Sequence, residues 1–184
     1  MGRRFESDGW LMKIYVGDIT NAPVDVIVNA SDADFTPGGG LARWIEKKAG
    51  KKVFQEVQKN SPGAIGEVFS SGPGNLKAKA IYHIPTINWQ TKAKLSLPEV
   101  QQTTVKALEM AIADGYKSIV FPLLAAGTVG LKEEEVAQEI SDAILLIEEQ
   151  NEGFLGGVSV LSSEVYERIK SSLPRGIEII NVPE

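Results

Sequence analysis

The sequence predicts a three-layer α/β/α sandwich built on one mixed central β-sheet. Three observations carry that expectation. Runs such as Val24-Asp-Val-Ile-Val28 and Ser118 to Leu124 are apolar with little alternation, as strands covered on both faces are. Segments with helical spacing alternate with them from the second strand onwards, and the connections are long enough for parallel pairing. Small, glycine-bearing loops lead from strand ends into helices, which in an open sheet turns backbone N–H groups toward the strands' carboxyl edge.

The elements follow in order. Residues 1–12 read as an N-terminal tail or extension, with Trp10-Leu-Met12 placed to cover part of the core, and residues 13–184 as a single domain. Lys13-Ile-Tyr-Val16 is strand-like and Gly17-Asp-Ile-Thr20 turns it. The strand ending at Val28 runs into Asn29-Ala-Ser-Asp32 and then a loop closing on Gly38-Gly-Gly40. Leu41, Trp44, Ile45 and Ala49 share one helical face, with Arg43, Glu46, Lys47 and Lys48 on the other. Gly50 interrupts that helix and Val53 to Lys59 adds further turns. Gly66–Ser70 and Ala78–Pro85 read as strands around the turn Gly72-Pro-Gly-Asn75, and residues 86–95, including Trp89, as a polar connection. Ser96 and Glu99, with Pro98 in the first turn, start a helix that Gly115 stops. After the strand near Phe121, a helix runs through Val136, Ile140, Ile144 and Ile147 behind Glu133, Glu134 and Glu135, where the macrodipole favours acids. Gly156-Gly157 read as the end of a connection, Val158–Leu161 as a strand, Glu164–Leu173 as a helix and Ile177–Ile180 as the closing strand.

Composition narrows the function. A net charge of −5 argues against a broad electrostatic grip on nucleic acid. Mean hydropathy near zero (−0.05) and the lack of any apolar run near a membrane span argue against a membrane protein. With no cysteine and one histidine, His83, a Cys/His nucleophile pair is excluded and a metal site is not expected. His83 itself, inside an apolar strand, reads as a packed core residue rather than a base. A cytoplasmic location suits the cysteine-free composition. Neither G-x-G-x-x-G nor a P-loop occurs, which disfavours a dinucleotide Rossmann site.

Phe121 to Leu131 is the stretch where packing meets chemistry. Together with Gly17 to Thr20, Asn29 to Leu41, and Leu161 with Ser162, it should meet at one edge of the sheet, offering two anion nests beside short polar side chains. That suits a diphosphate flanked by sugars. Taken alone, each glycine loop also reads as an ordinary strand-to-helix turn, Asp18 and Asp32 as turn residues, and the lysines 47, 48, 51 and 52 as a solvated face.

Gly17-Asp-Ile-Thr20, Val24-Asp-Val-Ile-Val-Asn-Ala-Ser-Asp32, Gly38-Gly-Gly-Leu41, Ala80-Ile-Tyr-His83 and Ala125-Ala-Gly-Thr-Val-Gly130 resemble, in order and spacing, the motifs of the macrodomain family. The resemblance covers about residues 13–173. It implies binding of ADP-ribose, an ADP-ribosylated protein or a small-molecule derivative, without a cofactor. It places Asp18 on the adenine amino group with Gly17 and the Ile19 amide beside it, and Leu161 against the ring. Gly38, Gly39, Gly40 and Leu41 would line the first phosphate and distal ribose, Ala125, Ala126, Gly127, Thr128 and Val129 would wrap the diphosphate, and Asn29 and Asp32 would face the distal ribose. Asp32, with Asn29, is the candidate catalytic group for hydrolysing a mono-ADP-ribosyl or O-acetyl-ADP-ribose linkage. Asp32 stands where most members carry a second asparagine, Ala42 where one hydrolase branch has an acid, and Val129 and Leu161 where the family has aromatics. The alternatives are a non-catalytic reader of the same nucleotide and an α/β domain for another one.

Overall fold

The computed structural model describes residues 12–183; the tail expected over residues 1–12 lies outside them except for Met12, which is fully buried. Seven strands form one sheet: β1 (Met12–Gly17), β2 (Val26–Asp32), β3 (Phe69–Ser71), β4 (Ala80–Ile87), β5 (Ser118–Phe121), β6 (Leu155–Val160) and β7 (Ile177–Val182). Their order is β3-β4-β2-β5-β6-β1-β7, and every pairing is parallel except β3 with β4. Five α-helices complete it: α1 (Gly40–Ala49), α2 (Lys51–Val57), α3 (Leu97–Ala113), α4 (Glu133–Glu148) and α5 (Ser163–Ile169). This is the expected mixed-sheet α/β architecture.

Two apolar layers hold the sandwich. On one face Val26, Val28, Ile84, Ile119 and Phe121 pack under Leu108 and Ala111 of α3 and Val136, Ile140 and Ile144 of α4. On the other, Ile81 meets Ile45, Val53 and Phe54 of α1 and α2, and Ile27 and Val120 meet Ile19 and Val182. Fully burying each such side chain contributes about 2 kcal/mol, which offsets the entropy of ordering it. Helix α3 starts as its sequence requires, with Ser96 N–H donating to Glu99 Oε2 at 2.8 Å.

Among the element boundaries that differ from the sequence reading, three have a packing reason. Gly156 and Gly157 lie inside β6, not in a loop. A Cβ on Gly156 would stand 2.6 Å from Ile144 Cγ2, and one on Gly157 2.5 Å from Tyr15 Cε2, so the glycines let α4 and a neighbouring strand press on the sheet. β4 continues through Pro85 to Ile87 because β3 pairs only with Ile81 to His83, leaving an edge where a missing N–H is harmless. β3 is correspondingly short, and Gly66 instead donates its N–H to Pro85 O at 2.9 Å.

Candidate functional site

From β2 the chain moves outward to β4 and β3, and from β5 it moves the other way to β6, so the connections diverge between β2 and β5. Crevices open at the carboxyl ends of strands at such a switch point. A cleft of about 650 Å³ lies there. Its floor is Ala30, Ser31 and Asp32 at the end of β2 with Thr86 and Ile87 of β4. One wall is Thr36, Gly38 to Gly40, Leu41 and Ala42; the other is Pro122, Leu123, Ala125, Gly127 and Thr128, with Trp89 at the rim.

The first wall ends in the open N-terminus of α1. Gly39 is its N-cap and supplies no side-chain cap, so N–H groups of the first turn lack an intrahelical partner at the cleft. The second wall works differently. Helix α4 begins only at Glu133 and carries three acids in its first turn, so the N–H groups available to the cleft are those of the loop before it. The cleft glycines are not demanded by packing: a Cβ on Gly39, Gly40 or Gly127 would meet nothing within 4 Å, and one on Gly38 would only touch Thr36 Oγ1 at 3.7 Å. None of these four has a positive φ.

All three non-glycine residues with positive φ among the described residues, Phe35, Lys92 and Ala125, sit in the three loops that border the cleft. Left-handed backbone costs about 1 kcal/mol or more for such residues. Phe35 offsets it by burying its ring edge-on to Phe69, centroids 5.0 Å apart, a burial worth about 2 kcal/mol. Ala125 has only a methyl group to bury, so its strain is retained in the loop.

Among the described residues, Asp32 is the only ionisable side chain lining the cleft. Its Oδ1 accepts from Thr36 N at 2.9 Å and its Oδ2 from the Thr36 hydroxyl, which orients the carboxylate. Ser31, 4% exposed, has a buried hydroxyl with no hydrogen-bond partner.

Of the residues singled out from the sequence, Asp32, Gly38, Gly39, Gly40, Leu41, Ala125, Gly127 and Thr128 line this cleft together; Gly17, Asp18, Ile19, Asn29, Ala126, Val129 and Leu161 do not. Asn29, in β2, keeps its Oδ1 buried and without a hydrogen-bond partner. It is fully buried and donates from Nδ2 to His83 Nδ1 at 3.1 Å, while His83 Nε2 meets Ser71 Oγ at 2.8 Å. With Asn29 donating to Nδ1, the proton sits on Nε2, which donates to Ser71 Oγ, and the Ser71 hydroxyl donates to Gly72 O. Burial pushes the His83 pKa down to about 3, so it is neutral and structural, as its place in an apolar strand implied.

Asp18 caps the 3₁₀ turn Ile19–Asn21 after β1, its Oδ1 accepting from Thr20 N at 2.9 Å and Thr20 Oγ1 at 2.6 Å. Burial alone would raise its pKa, but the Thr20 bonds, the Trp44 indole and the Lys48 ammonium together hold it below the usual carboxylate range. Its Oδ2, 3.8 Å from Lys48 Nζ, is buried and without a hydrogen-bond partner. Helix α1 therefore links this turn to the cleft: its N-terminus forms a wall, Leu41 packs on the cluster containing Ile19, and Lys48 reaches Asp18. The last strand backs the same turn. Gly17 has space for no side chain, since a Cβ would lie 2.2 Å from Val182 O, and Asn21 Nδ2 donates to Pro183 O at 3.0 Å. Leu161, at the end of β6, is 82% exposed.

The sequence reading singled out none of Ser31, Thr36, Thr86 and Trp89, although Ser31 and Thr36 fall within the Asn29 to Leu41 segment it placed at this edge. Trp89 was legible only as an aromatic in a polar connection; that β4 runs on to Ile87, carrying the following loop to the cleft, depends on the Asp32–Ile87 pairing. Among the described residues no cluster of His, Cys, Asp or Glu is arranged to hold a metal, and no helix is long and apolar enough to cross a membrane.

The pattern of the Macro domain family matches residues 28–140. The O-acetyl-ADP-ribose deacetylase of Enterobacter sp. (strain 638) is 31% identical over 137 residues, covering 72% of this chain and 76% of that protein. A mutant of the Oceanobacillus iheyensis macrodomain with ADPR superposes with a TM-score of 0.77 at 25% identity, over 86% of this chain and 89% of that one. The Trypanosoma brucei macrodomain in complex with ADP-ribose shares the fold at TM-score 0.76 and 20% identity, over 86% of this chain and 67% of that one. A mixed sheet with its crevice at the switch point and glycine loops on either wall defines an α/β nucleotide-site architecture. Within that class, the chain belongs to the macro domain family.

Proposed function

We propose that this protein binds ADP-ribose or a derivative of it, with the diphosphate lying between the Gly38–Leu41 and Ala125–Val129 loops. The observation that carries this reading is the set of cleft glycines without a structural need for glycine. Neither φ nor neighbouring atoms forbid a side chain at Gly39, Gly40 or Gly127, so close backbone approach to a guest is the remaining reason for them. Among the described residues the cleft wall carries no lysine, arginine or histidine, so there the anion is held by N–H groups and the α1 terminus. Asp18, whose buried Oδ2 has the Lys48 ammonium nearby but accepts no hydrogen bond, takes the adenine amino group, and Leu161 lies beside the ring. The relatives that share the fold, with ADPR in one of them, support this assignment. The cysteine-free sequence supports a reducing compartment such as the cytoplasm.

Two readings of the chemistry remain, and each has an observation behind it. Asp32, oriented by Thr36 on the cleft floor, is placed to take a proton from a water attacking the ester carbonyl of O-acetyl-ADP-ribose, releasing acetate and ADP-ribose. Ala42, a methyl group on the wall, offers no second acid and favours a reader that releases its ligand unchanged.

Calorimetry with ADP-ribose, AMP and NAD tests the binding claim: ADP-ribose gives heat and AMP markedly less, and silence from ADP-ribose at near-millimolar concentration refutes it. Incubating wild type and Asp32→Ala with O-acetyl-ADP-ribose and with mono-ADP-ribosylated protein separates the chemistries. Turnover lost in the variant supports hydrolysis, and intact substrates with both proteins support the reader.

A further inference from the structure

One end of the cleft is built unlike the rest. Asp32, Ser31, Thr36 and Thr86 bring acceptor groups together there, and Trp89 stands at its rim 51% exposed. The indole sits on a fixed loop, because Asn88 Oδ1 accepts from Gln90 N and Thr91 N at 2.9 and 3.0 Å and Asn88 N donates to Ala93 O at 2.8 Å. Each Asp32 oxygen takes one bond from Thr36 and keeps acceptor capacity for another. Ser31 lines the cleft, and its hydroxyl is buried without a partner. The exposed cations of the Trp89 loop, Lys92 and Lys94, are not on the cleft wall.

An isolated carboxylate in a cleft that receives a diphosphate is repulsive unless the guest brings a cation to it. A neutral acetyl ester brings none. We propose that the group attached to the distal ribose is a guanidinium, as in an arginine–ADP-ribose adduct, forked onto Asp32 and flanked by the face of Trp89. A guanidinium matches this wall in two ways: its paired N–H donors fit a carboxylate, and its plane stacks on an indole. The inference rests on the ADP-ribose reading above and names the substrate class within it.

The test is a calorimetric comparison of three ligands, ADP-ribose, O-acetyl-ADP-ribose and ADP-ribosyl-agmatine, on wild type, Asp32→Asn and Trp89→Ala, with circular dichroism confirming that the variants are folded. Wild type is expected to bind the agmatine conjugate about tenfold more tightly than O-acetyl-ADP-ribose. Asp32→Asn should bring that ratio close to one, and Trp89→Ala should reduce it about threefold. ADP-ribose binding without any preference for the conjugate, or a preference that survives Asp32→Asn, overturns this inference and leaves the parent reading standing. Failure of all three ligands to bind wild type overturns both.

Discussion

Glycines do two different jobs on either side of this sheet's carboxyl edge. In the body of the domain they are compelled: an added Cβ at Gly74 would stand 2.1 Å from Ala49 O, and at Gly156 2.6 Å from Ile144 Cγ2. On the cleft walls the same residue type has open space around it. The body glycines report how closely helices and strands are packed, whereas the cleft glycines report a volume the protein keeps clear. A glycine therefore points to a ligand only when its φ, its neighbours and its burial have all failed to explain it.

The largest effect should come from exchanging those roles. Gly127→Glu puts a carboxylate into the proposed phosphate cradle, so ADP-ribose affinity should fall at least about a hundredfold by calorimetry. Because nothing touches the new Cβ, the thermal midpoint should stay near that of wild type; unchanged affinity would show that this loop holds no phosphate. The converse substitution is Gly74→Ala, which meets a backbone oxygen and sits at φ +58. It should cost about 3 kcal/mol in denaturant melts while the folded fraction binds ADP-ribose as before. A stable Gly74→Ala protein would undo the contrast from the other side.

Stability against pH sharpens the comparison for ionisable groups. Glu148, at the end of α4, is buried and accepts from Gly156 N at 2.6 Å, and burial pushes its pKa up to about 7 despite that bond and the charge of Lys13. A raised folded-state pKa means the acid's stabilising contribution is complete below its unfolded value of 4.5 and is lost as pH rises toward 7. His83 acts oppositely: its pKa falls from 6.5 to about 3, so its contribution is present above 6.5 and is lost as pH falls. In wild type the two slopes oppose each other between pH 4.5 and 6.5. Glu148→Gln should leave only the His83 slope, with stability rising through that window and a gain of about 2 kcal/mol at neutral pH. Chemical melts across the window check it, and a flat profile in the variant would mean that His83 is not held neutral by the fold.

The smallest effect is expected at Leu161. Its exposure leaves the proposed adenine position with an aliphatic neighbour, and Leu161→Phe should tighten ADP-ribose about fivefold through ring stacking, read by the same titration. No change would separate Leu161 from the ligand altogether.

The strands of the inner sheet were plain in the sequence because continuous β-branched runs leave few alternatives, and α3 was plain because Ser96, Pro98 and Glu99 specify its start chemically. The boundaries that shifted, at Gly156 and Pro85, depend on how near a helix or a neighbouring strand comes, which single-residue propensities do not encode. The site divided in the same way. The Gly38–Leu41 and Ala125–Thr128 walls were visible as glycine-bearing strand-to-helix loops. Asn29 is not on the cleft lining although Asp32 of the same motif is; the face of β2 it takes is set by pairing with His83. Trp89 and Ser31 were not singled out since nothing local distinguishes a rim tryptophan or a bonding-deficient hydroxyl from ordinary ones.

The contact between Gly17 and Val182 has a consequence for regulation. Because β7 props the turn that carries Asp18, the corner proposed above to recognise the base rests on a segment far along the chain. Under the proposed ADP-ribose reading, anything that peels this strut away, whether a protease cut or a partner claiming β7 for its own sheet, is expected to blunt adenine discrimination more than affinity for the pyrophosphate.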